Sequence, residues 1–318
     1  MADTGPQREP PVGLEQPAGE PVESEDMIDG GPLRRRRVAR KTLVVLPTLC
    51  TLFNVLCGFL AIFFATRAVP DPNETGMPFG WTPLTYGAVF VFIGMVLDAL
   101  DGRLARLTNH TSNLGAQLDS MADMVTFGVA PAFLAAHLVV VEIPFLSDRG
   151  DLNFDRIALV IACIYVACTA LRLARFNIEM TGAGVEDHMS FEGLPTPGAA
   201  GTVASLVLLH EHARVQHDSG HWTTTVASVT MVAVMLLVAI AMISRLRYVH
   251  VTNRLLRDRA PIEYIAVVVV VALLVTINLQ IVLAAMFLTF AMSAPVHWVM
   301  RRRRSDGRDD AAAPDYEG

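Results

Sequence analysis

Long apolar runs constrain the fold of this chain more than any other feature of its sequence. Several runs of about twenty residues contain no Lys, Arg, Asp or Glu, and an α-helix needs about that length to cross a hydrocarbon layer of roughly 30 Å. With 53% hydrophobic residues and a mean hydropathy of +0.43, the 318-residue chain is also too apolar for an ordinary soluble domain. The sequence therefore predicts an all-α integral membrane protein.

The apolar pattern predicts a bundle of about eight membrane helices. The first six are expected at 43–65, 83–107, 115–141, 157–176, 195–209 and 223–244. The last apolar block, 262–298, would form a helix of about 55 Å, which is too long for a single crossing. We therefore expect a turn at the polar residues 278–280, which divides this block into the seventh and eighth helices.

Basic residues at the helix ends predict the orientation in the membrane, because loops rich in Lys and Arg stay in the cytoplasm. With eight crossings, the basic clusters all fall on the cytoplasmic side: 34–41, Arg103 with Arg106, Arg172 with Arg175, the five arginines within 245–259, and 301–304. The protein is thus predicted to lie in the cell membrane, with both termini in the cytoplasm. We interpret the clusters as topology determinants and contacts with anionic membrane lipids. Nucleic acid is not an expected partner despite these arginine clusters.

Composition divides the chain into three parts. Residues 1–41 are predicted to be a disordered acidic tail followed by a basic juxtamembrane segment, because this stretch is rich in Pro, Gly and Glu before its arginines. The transmembrane domain is expected at 42–298. Residues 299–318 are expected to be a basic and then polar cytoplasmic tail.

Four aspartates lie where the second and third predicted helices meet the cytoplasmic boundary. Asp98 and Asp101 are three residues apart, and Asp119 and Asp123 are four apart. On a helix these spacings separate the side chains by about 60° and 40°, so each pair shares one face. The polar residues between the pairs can turn the chain. We therefore expect two antiparallel helices that face each other with two carboxylates apiece, which makes this stretch the candidate active site.

Divalent cations would resolve the repulsion among these carboxylates. Ionised groups are costly to desolvate at a membrane boundary, and ligand sets made only of oxygen favour Mg²⁺, Mn²⁺ or Ca²⁺ over zinc. A pair of ions would suit the transfer of a phosphorus group. In the alternative interpretation, the aspartates form salt bridges with neighbouring arginines, but four carboxylates at these spacings favour the metal site.

Small residues and one arginine accompany the aspartates. Gly102, Ala105 and Gly115 would allow a helix or a ligand to approach the backbone closely. Arg106 would point toward phosphate oxygens or extend to the interface. The whole stretch 98–123 fits the pattern D-x2-D-G-x2-A-R-x8-G-x3-D-x3-D, and in this it resembles the CDP-alcohol phosphatidyltransferase family.

This resemblance implies a site that transfers a phosphatidyl group from a CDP-linked lipid to an alcohol and releases CMP. It implies two metal ions, Mg²⁺ or Mn²⁺, held by Asp98, Asp101, Asp119 and Asp123, with Asp123 also acting as the general base. Binding of the CDP-lipid would fall to the remaining residues of the pattern, which are Gly102, Ala105, Arg106 and Gly115. A homodimer is also expected by resemblance.

Two further segments bear on the acceptor alcohol. Residues 171–177 and 191–200 resemble segments of the serine-specific branch of the same family, as does the first helix with Pro47, Thr51, Asn54 and Gly58. The implied substrates are CDP-diacylglycerol and L-serine. Thr51 and Asn54 would contact the CDP-lipid, or act as polar contacts between helices.

The residues of the two segments are chemically compatible with serine. Arg172 and Arg175 lie three residues apart on one helix face and would bind its carboxylate. Glu192 would meet its ammonium group.

Other functions fit parts of the same pattern. The same transfer to glycerol 3-phosphate, inositol phosphate or choline is the nearest alternative. A cation transporter or channel would also carry intramembrane carboxylates, but distributed across the membrane depth. A prenyltransferase would carry its acidic motifs on separated loops.

Overall fold

The computed structural model describes residues 32–68, 78–108, 113–142, 154–182, 193–216, 221–244, 246, 278–297 and 300. Residues 1–31, 299 and 301–318 of the predicted tails, the predicted seventh helix and Glu192 lie outside the described residues. The predicted division at 41/42 and 298/299 stays a prediction. The chain forms two compact units, 1–42 and 43–318. Within the first, residues 32–42 are helical.

Every regular element of these described ranges is helical, so the all-α prediction is confirmed. In chain order the α-helices are α1 (Pro32–Ala65), α2 (Pro83–Thr108), α3 (Asn113–Asp123), α4 (Ala130–Glu142), α5 (Phe154–Gly182), α6 (Thr196–Gln216), α7 (His221–Ile243) and α8 (Asn278–His297). A 3-10 turn at Pro78–Gly80 precedes α2. A π-helical segment, Met124–Val129, joins α3 to α4 without a break.

Six helical segments of the described chain are long and apolar enough to cross a membrane. They are Leu46–Ala65, Pro83–Leu104, Leu114–Val141, Phe154–Ile178, Thr225–Ile243 and Asn278–His297. The chain is therefore a multi-pass membrane protein. The predicted number of eight is not matched exactly. The predicted seventh helix, in the first part of the block 262–298, falls outside the described residues. The predicted fifth helix, at 195–209, corresponds to α6, which is not among the six.

The position of α6 explains why it is less apolar than the others. This helix packs against α2, α4 and α7, and residues such as Ala199, Val203 and Val207 have no exposed surface. Its Gly198 and Gly201 lie directly against the rings of Phe290 and Phe287 of α8. A helix enclosed by protein need not present apolar side chains to lipid all round, so it can carry polar groups in its last turns.

Helix α1, in contrast, exposes an apolar face. Leu49, Phe53, Leu56 and Phe59 are 44% to 60% exposed, and their spacing of three and four residues places them along one side of the helix. The opposite side, with Asn54 and other buried residues, packs into the bundle. This division fits a helix at the lipid boundary.

Helix α5 runs antiparallel to the continuous α3–α4 helix. Asn177 near its end hydrogen-bonds to Ser120 of α3. In its middle, the buried Tyr165 hydroxyl donates to the backbone oxygen of Phe127 at 3.0 Å. These contacts attach the π-helical segment, and the α3 helix with the aspartates before it, to α5.

Candidate active site

Three of the four predicted aspartates converge. Asp98 of α2 and Asp119 and Asp123 of α3 each offer a carboxylate oxygen, and these oxygens lie within 4.8 Å of one another. All three side chains are partly buried. The predicted arrangement, in which two helices face each other through their carboxylates, is therefore present for this set, which we call the aspartate cluster.

Asp101 lies beside the cluster and is oriented differently. Its side chain is buried, with 4% of the residue exposed, and its Oδ2 accepts a hydrogen bond of 2.9 Å from the Thr51 hydroxyl of α1. The three-carboxylate group does not include it. Asp101 is thus held by a neighbouring helix at one oxygen, and its place among the metal ligands stays a prediction.

A second residue of α1 reaches the cluster from the same side. The Asn54 amide nitrogen donates to Oδ1 of Asp123 at 3.3 Å, and Asn54 has no exposed surface. Thr51 and Asn54 were predicted to bind the CDP-lipid or to act as polar contacts between helices. In this structure both contact the aspartates, each on a different helix.

The π-helical segment places Thr126 between α1 and α2. The buried Thr126 hydroxyl donates to the backbone oxygen of Asn54 at 2.8 Å. Two glycines make room for it: a Cβ on Gly58 would lie 2.6 Å from Thr126 Oγ1, and a Cβ on Gly94 would lie 2.5 Å from Thr126 Cγ2. Both distances are too short for a real side chain, so only glycine allows this approach of three helices. Segments of π-helix often occur at functional sites.

The donor set of the aspartate cluster fits a divalent cation. Among the described residues, no Lys, Arg or His forms an ion pair with its three carboxylates, so the alternative of a salt-bridge network finds no support there. Oδ1 of Asp119 is buried and has no hydrogen-bond partner, and such an atom is costly unless something binds it. Hard oxygen ligands of this kind are the ones that Mg²⁺ and Mn²⁺ prefer.

The residues predicted to bind serine lie at the end of α5 that faces α3. Arg172 donates to the Thr196 hydroxyl at the start of α6, and Arg175 is exposed. Asn177, two residues further, is paired with Ser120, the residue that follows Asp119. The structure therefore connects this end of α5 to the helix that carries the aspartates. Glu192 is outside the described residues.

The residues predicted to line the CDP-lipid site lie on the helix ends nearest the cluster. Gly102, Ala105 and Arg106 belong to the last turns of α2, and Gly115 to the first turn of α3. The side chains of Ala105 and Arg106 are not among those described. Their role stays a prediction.

Sequence reasoning missed several residues of this site. It did not single out Thr126, Gly94 or Ser120, and it did not predict the contact of Arg172 with Thr196. Gly94 carried a usable signal, because an isolated glycine inside a membrane helix indicates close packing. The π-helical segment carried none, since its residues also fit an ordinary α-helix.

Comparison with known proteins supports the same assignment. The family model described as CDP-alcohol phosphatidyltransferase matches residues 44–243. A CDP-diacylglycerol–serine O-phosphatidyltransferase of Helicobacter pylori is 32% identical over 206 residues, which cover 65% of this chain and 72% of that protein. A protein of the same name from Bacillus subtilis is 34% identical over 154 residues, 48% of this chain and 70% of its own. Another, from Saccharomyces cerevisiae, is 41% identical over 162 residues, half of each chain.

The matched residues 44–243 include the aspartate cluster, Asn54 of α1, which contacts it, and Asn177 of α5, which contacts Ser120 beside it. They amount to more than half of the 318 residues. The family predicted from the 98–123 pattern is thus confirmed, and the chain belongs to the CDP-alcohol phosphatidyltransferase family.

Proposed function

We propose that this protein transfers the phosphatidyl group of CDP-diacylglycerol to L-serine, giving phosphatidylserine and CMP. The observation that carries the proposal is the convergence of Asp98, Asp119 and Asp123 from two helices within a family domain. The relatives from three organisms named above are all called CDP-diacylglycerol–serine O-phosphatidyltransferases, which supports serine as the acceptor.

The aspartate cluster would hold divalent metal, with Asp101 as a further ligand through the oxygen that Thr51 does not contact. We propose two ions, Mg²⁺ or Mn²⁺, in line with the resemblance. When bound, such ions neutralise the diphosphate and stabilise the charge that develops on the leaving oxygen. The buried, unpartnered oxygen of Asp119 supports this assignment.

Asp123 is the proposed general base. Its carboxylate takes the proton of the serine hydroxyl as the hydroxyl oxygen bonds to the lipid-side phosphorus. The bond from that phosphorus to the bridging oxygen breaks, and CMP leaves with the electron pair. Asn54 donates to one oxygen of Asp123, which leaves the other oxygen to face the substrate.

The acceptor would bind at the end of α5. Arg172 and Arg175 supply cationic donors for the serine carboxylate, and the Ser120–Asn177 pair fixes this end of α5 beside Asp119. Glu192 is proposed to meet the ammonium group. Gly102, Ala105, Arg106 and Gly115 are proposed to line the CDP-lipid site on the adjoining ends of α2 and α3.

We also propose that the protein lies in the cytoplasmic membrane with both termini and the active site in the cytoplasm, as the basic clusters indicate. A homodimer remains an expectation from the resemblance. Light scattering in detergent tests the dimer, and labelling of introduced cysteines from either side of the membrane tests the orientation.

The acceptor is tested by assay of the purified full chain with CDP-diacylglycerol and one alcohol at a time. Serine should give phosphatidylserine and CMP in equal amounts, while glycerol 3-phosphate, inositol phosphate and choline should give neither. CMP release with one of these three and none with serine would overturn the serine assignment and retain the family reaction.

The serine subsite is tested by Arg175→Met. Loss of a charged hydrogen bond costs about 1.5 to 3 kcal/mol, so the KM for serine should rise by roughly 10-fold or more while the KM for CDP-diacylglycerol stays near that of the wild type. Arg103→Met, which changes another exposed arginine on the neighbouring α2, is the matched control. Equal effects of the two variants on both substrates would argue against the subsite.

A further inference from the structure

The polar side of α1 is occupied by residues that contact the aspartates. Thr51, Asn54 and Gly58 are spaced by three and four residues, so they lie along one face of the helix. The opposite face is apolar and exposed, as with Phe53 and Leu56. Buried polar groups in a membrane helix need partners, and here the two partners are carboxylates of the site.

The two contacts reach two different helices. Thr51 donates to Asp101 of α2 at 2.9 Å, and Asn54 donates to Asp123 of α3 at 3.3 Å. One turn of α1 therefore fixes one carboxylate from each aspartate pair. An outer-shell donor of this kind orients a metal ligand and leaves the second oxygen of the carboxylate available.

The register of α1 is itself fixed at this level. Thr126 donates to the backbone oxygen of Asn54 at 2.8 Å, and it does so from a position between Gly58 and Gly94 that a Cβ on either glycine would obstruct. A Cβ on Gly94 would also lie 2.8 Å from the Asn54 Oδ1 atom. The Asn54 side chain thus has little room to move away from Asp123.

From these contacts we infer that Thr51 and Asn54 are positioning residues, which set Asp101 and Asp123 for divalent metal rather than contact the CDP-lipid. The inference rests on the proposed metal-dependent function, but it assigns a new role to α1. It replaces the contact with the CDP-lipid, which was one of the two roles that the sequence left open for both residues. Substitution of Thr51 or Asn54 would then affect the binding of serine and CDP-diacylglycerol only through the metal ligands.

The test is a titration of the full chain in detergent with Mn²⁺ alone. The midpoint of thermal unfolding is measured at each Mn²⁺ concentration. Mn²⁺ should raise the midpoint of the wild type. In Thr51→Val and Asn54→Leu the half-saturating Mn²⁺ concentration should rise by about 10-fold or more, the size typical of lost outer-shell partners. Thr51→Ser keeps the hydroxyl and should stay near the wild type.

Thr202→Val is the matched control. Thr202 is a buried threonine of α6 whose hydroxyl donates to the backbone oxygen four residues earlier at 2.8 Å, as the Thr51 hydroxyl lies 3.1 Å from the Pro47 oxygen, but it has no carboxylate partner. Its half-saturating Mn²⁺ concentration should equal that of the wild type. If Asn54→Leu does not yield folded protein, the smaller Asn54→Ser is titrated and should show the same rise.

The KM for CDP-diacylglycerol at saturating Mn²⁺ separates the two roles of α1. A positioning role predicts a KM within about twofold of the wild type. An unchanged Mn²⁺ titration together with a raised KM would overturn the inference and restore the nucleotide contact. Because the Mn²⁺ titration needs no serine, the inference can fail while serine transfer is observed, and it can hold where serine transfer is not.

Discussion

Two regions of the described bundle that bury carboxylates compensate the charge in opposite ways. In the last turns of α6, Glu211 is 1% exposed, and its Oε1 lies 3.4 Å from Arg214 and 3.7 Å from His210. In the aspartate cluster, the described residues offer Asp123 only a neutral donor, the Asn54 amide. The carboxylate of α6 has its cation within the protein, whereas the cluster has none among the described side chains.

This difference indicates which carboxylates serve the fold and which serve the reaction. Glu211 has a cationic partner in the protein at Oε1, although its Oε2 is buried without a hydrogen-bond partner. Three converging carboxylates without a cation require a positive ligand from outside. The same helical bundle thus contains an ion pair and a site whose charge we propose to be completed by metal.

Removal of divalent metal should have the largest effect. Chelation should abolish formation of phosphatidylserine, and added Mg²⁺ or Mn²⁺ should restore it. Chelation should also lower the unfolding midpoint of the wild type and of Glu211→Gln by a similar amount, because Glu211 lies outside the cluster. If chelation left the unfolding midpoint of the wild type unchanged but changed that of Glu211→Gln, the aspartate cluster would not be the site at which metal stabilises the protein.

Asp123→Asn should reduce turnover by about 10³-fold or more, since it removes the proposed base and one metal ligand together. Serine-dependent CMP release measures the loss. The variant keeps the shape of the side chain, so it should elute as folded protein in size-exclusion chromatography. Retention of more than about a tenth of the activity would show that Asp123 is not the base.

Gly94→Ala should act on the cluster without touching a carboxylate. The new Cβ would lie 2.5 Å from Thr126 Cγ2 and 2.8 Å from Asn54 Oδ1, so these side chains must shift, and the hydrogen bond from Asn54 to Asp123 is disturbed. A displacement of about 1 Å at an active site can cost about 10²-fold in rate. Turnover measured at saturating substrates tests this.

Gly128→Ala is the control for that variant, because its Cβ would meet only side-chain atoms of Thr169 and Met124, at 3.1 Å and beyond. We expect a much smaller loss of turnover. Equal losses in the two glycine variants would mean that Asn54 does not position Asp123.

Arg214→Met should have the smallest effect on turnover and a clear effect on stability. It leaves Glu211 buried without its arginine, and loss of one partner of a buried pair costs about 3 kcal/mol. The unfolding midpoint should fall while turnover per folded molecule changes less than about twofold. A loss of turnover without a change in the unfolding midpoint would show that the Glu211–Arg214 pair contributes to the reaction.

Much of the fold could be predicted from the sequence because its cause is local. A membrane helix needs only length and apolarity, and Leu114–Val141 or Phe154–Ile178 meet both conditions. Helix α6 is a different case, because it packs against other helices and need not be apolar all round. Its place in the bundle therefore depends on its neighbours and not on its own apolarity. The polar residues at 278–280 were predicted to turn the chain, but they are helical and belong to α8.

The aspartate spacing likewise predicted the cluster, because helical periodicity fixes which carboxylates share a face. Contacts between distant helices could not be read in this way. The Thr51–Asp101 bond joins residues 50 positions apart and the Asn54–Asp123 bond joins residues 69 apart. The residues were identified, but their partners depend on how α1 is placed against α2 and α3, which no single segment specifies.

Anomalous diffraction from crystals of the protein grown with Mn²⁺ tests the central claim most directly. We predict Mn²⁺ peaks within coordination distance of Asp98, Asp119 and Asp123, and an Asp119→Asn crystal in which the peaks are weaker or absent. A strong peak beside Glu211 with none at the aspartate cluster would contradict the claim that the cluster is the metal-dependent active site.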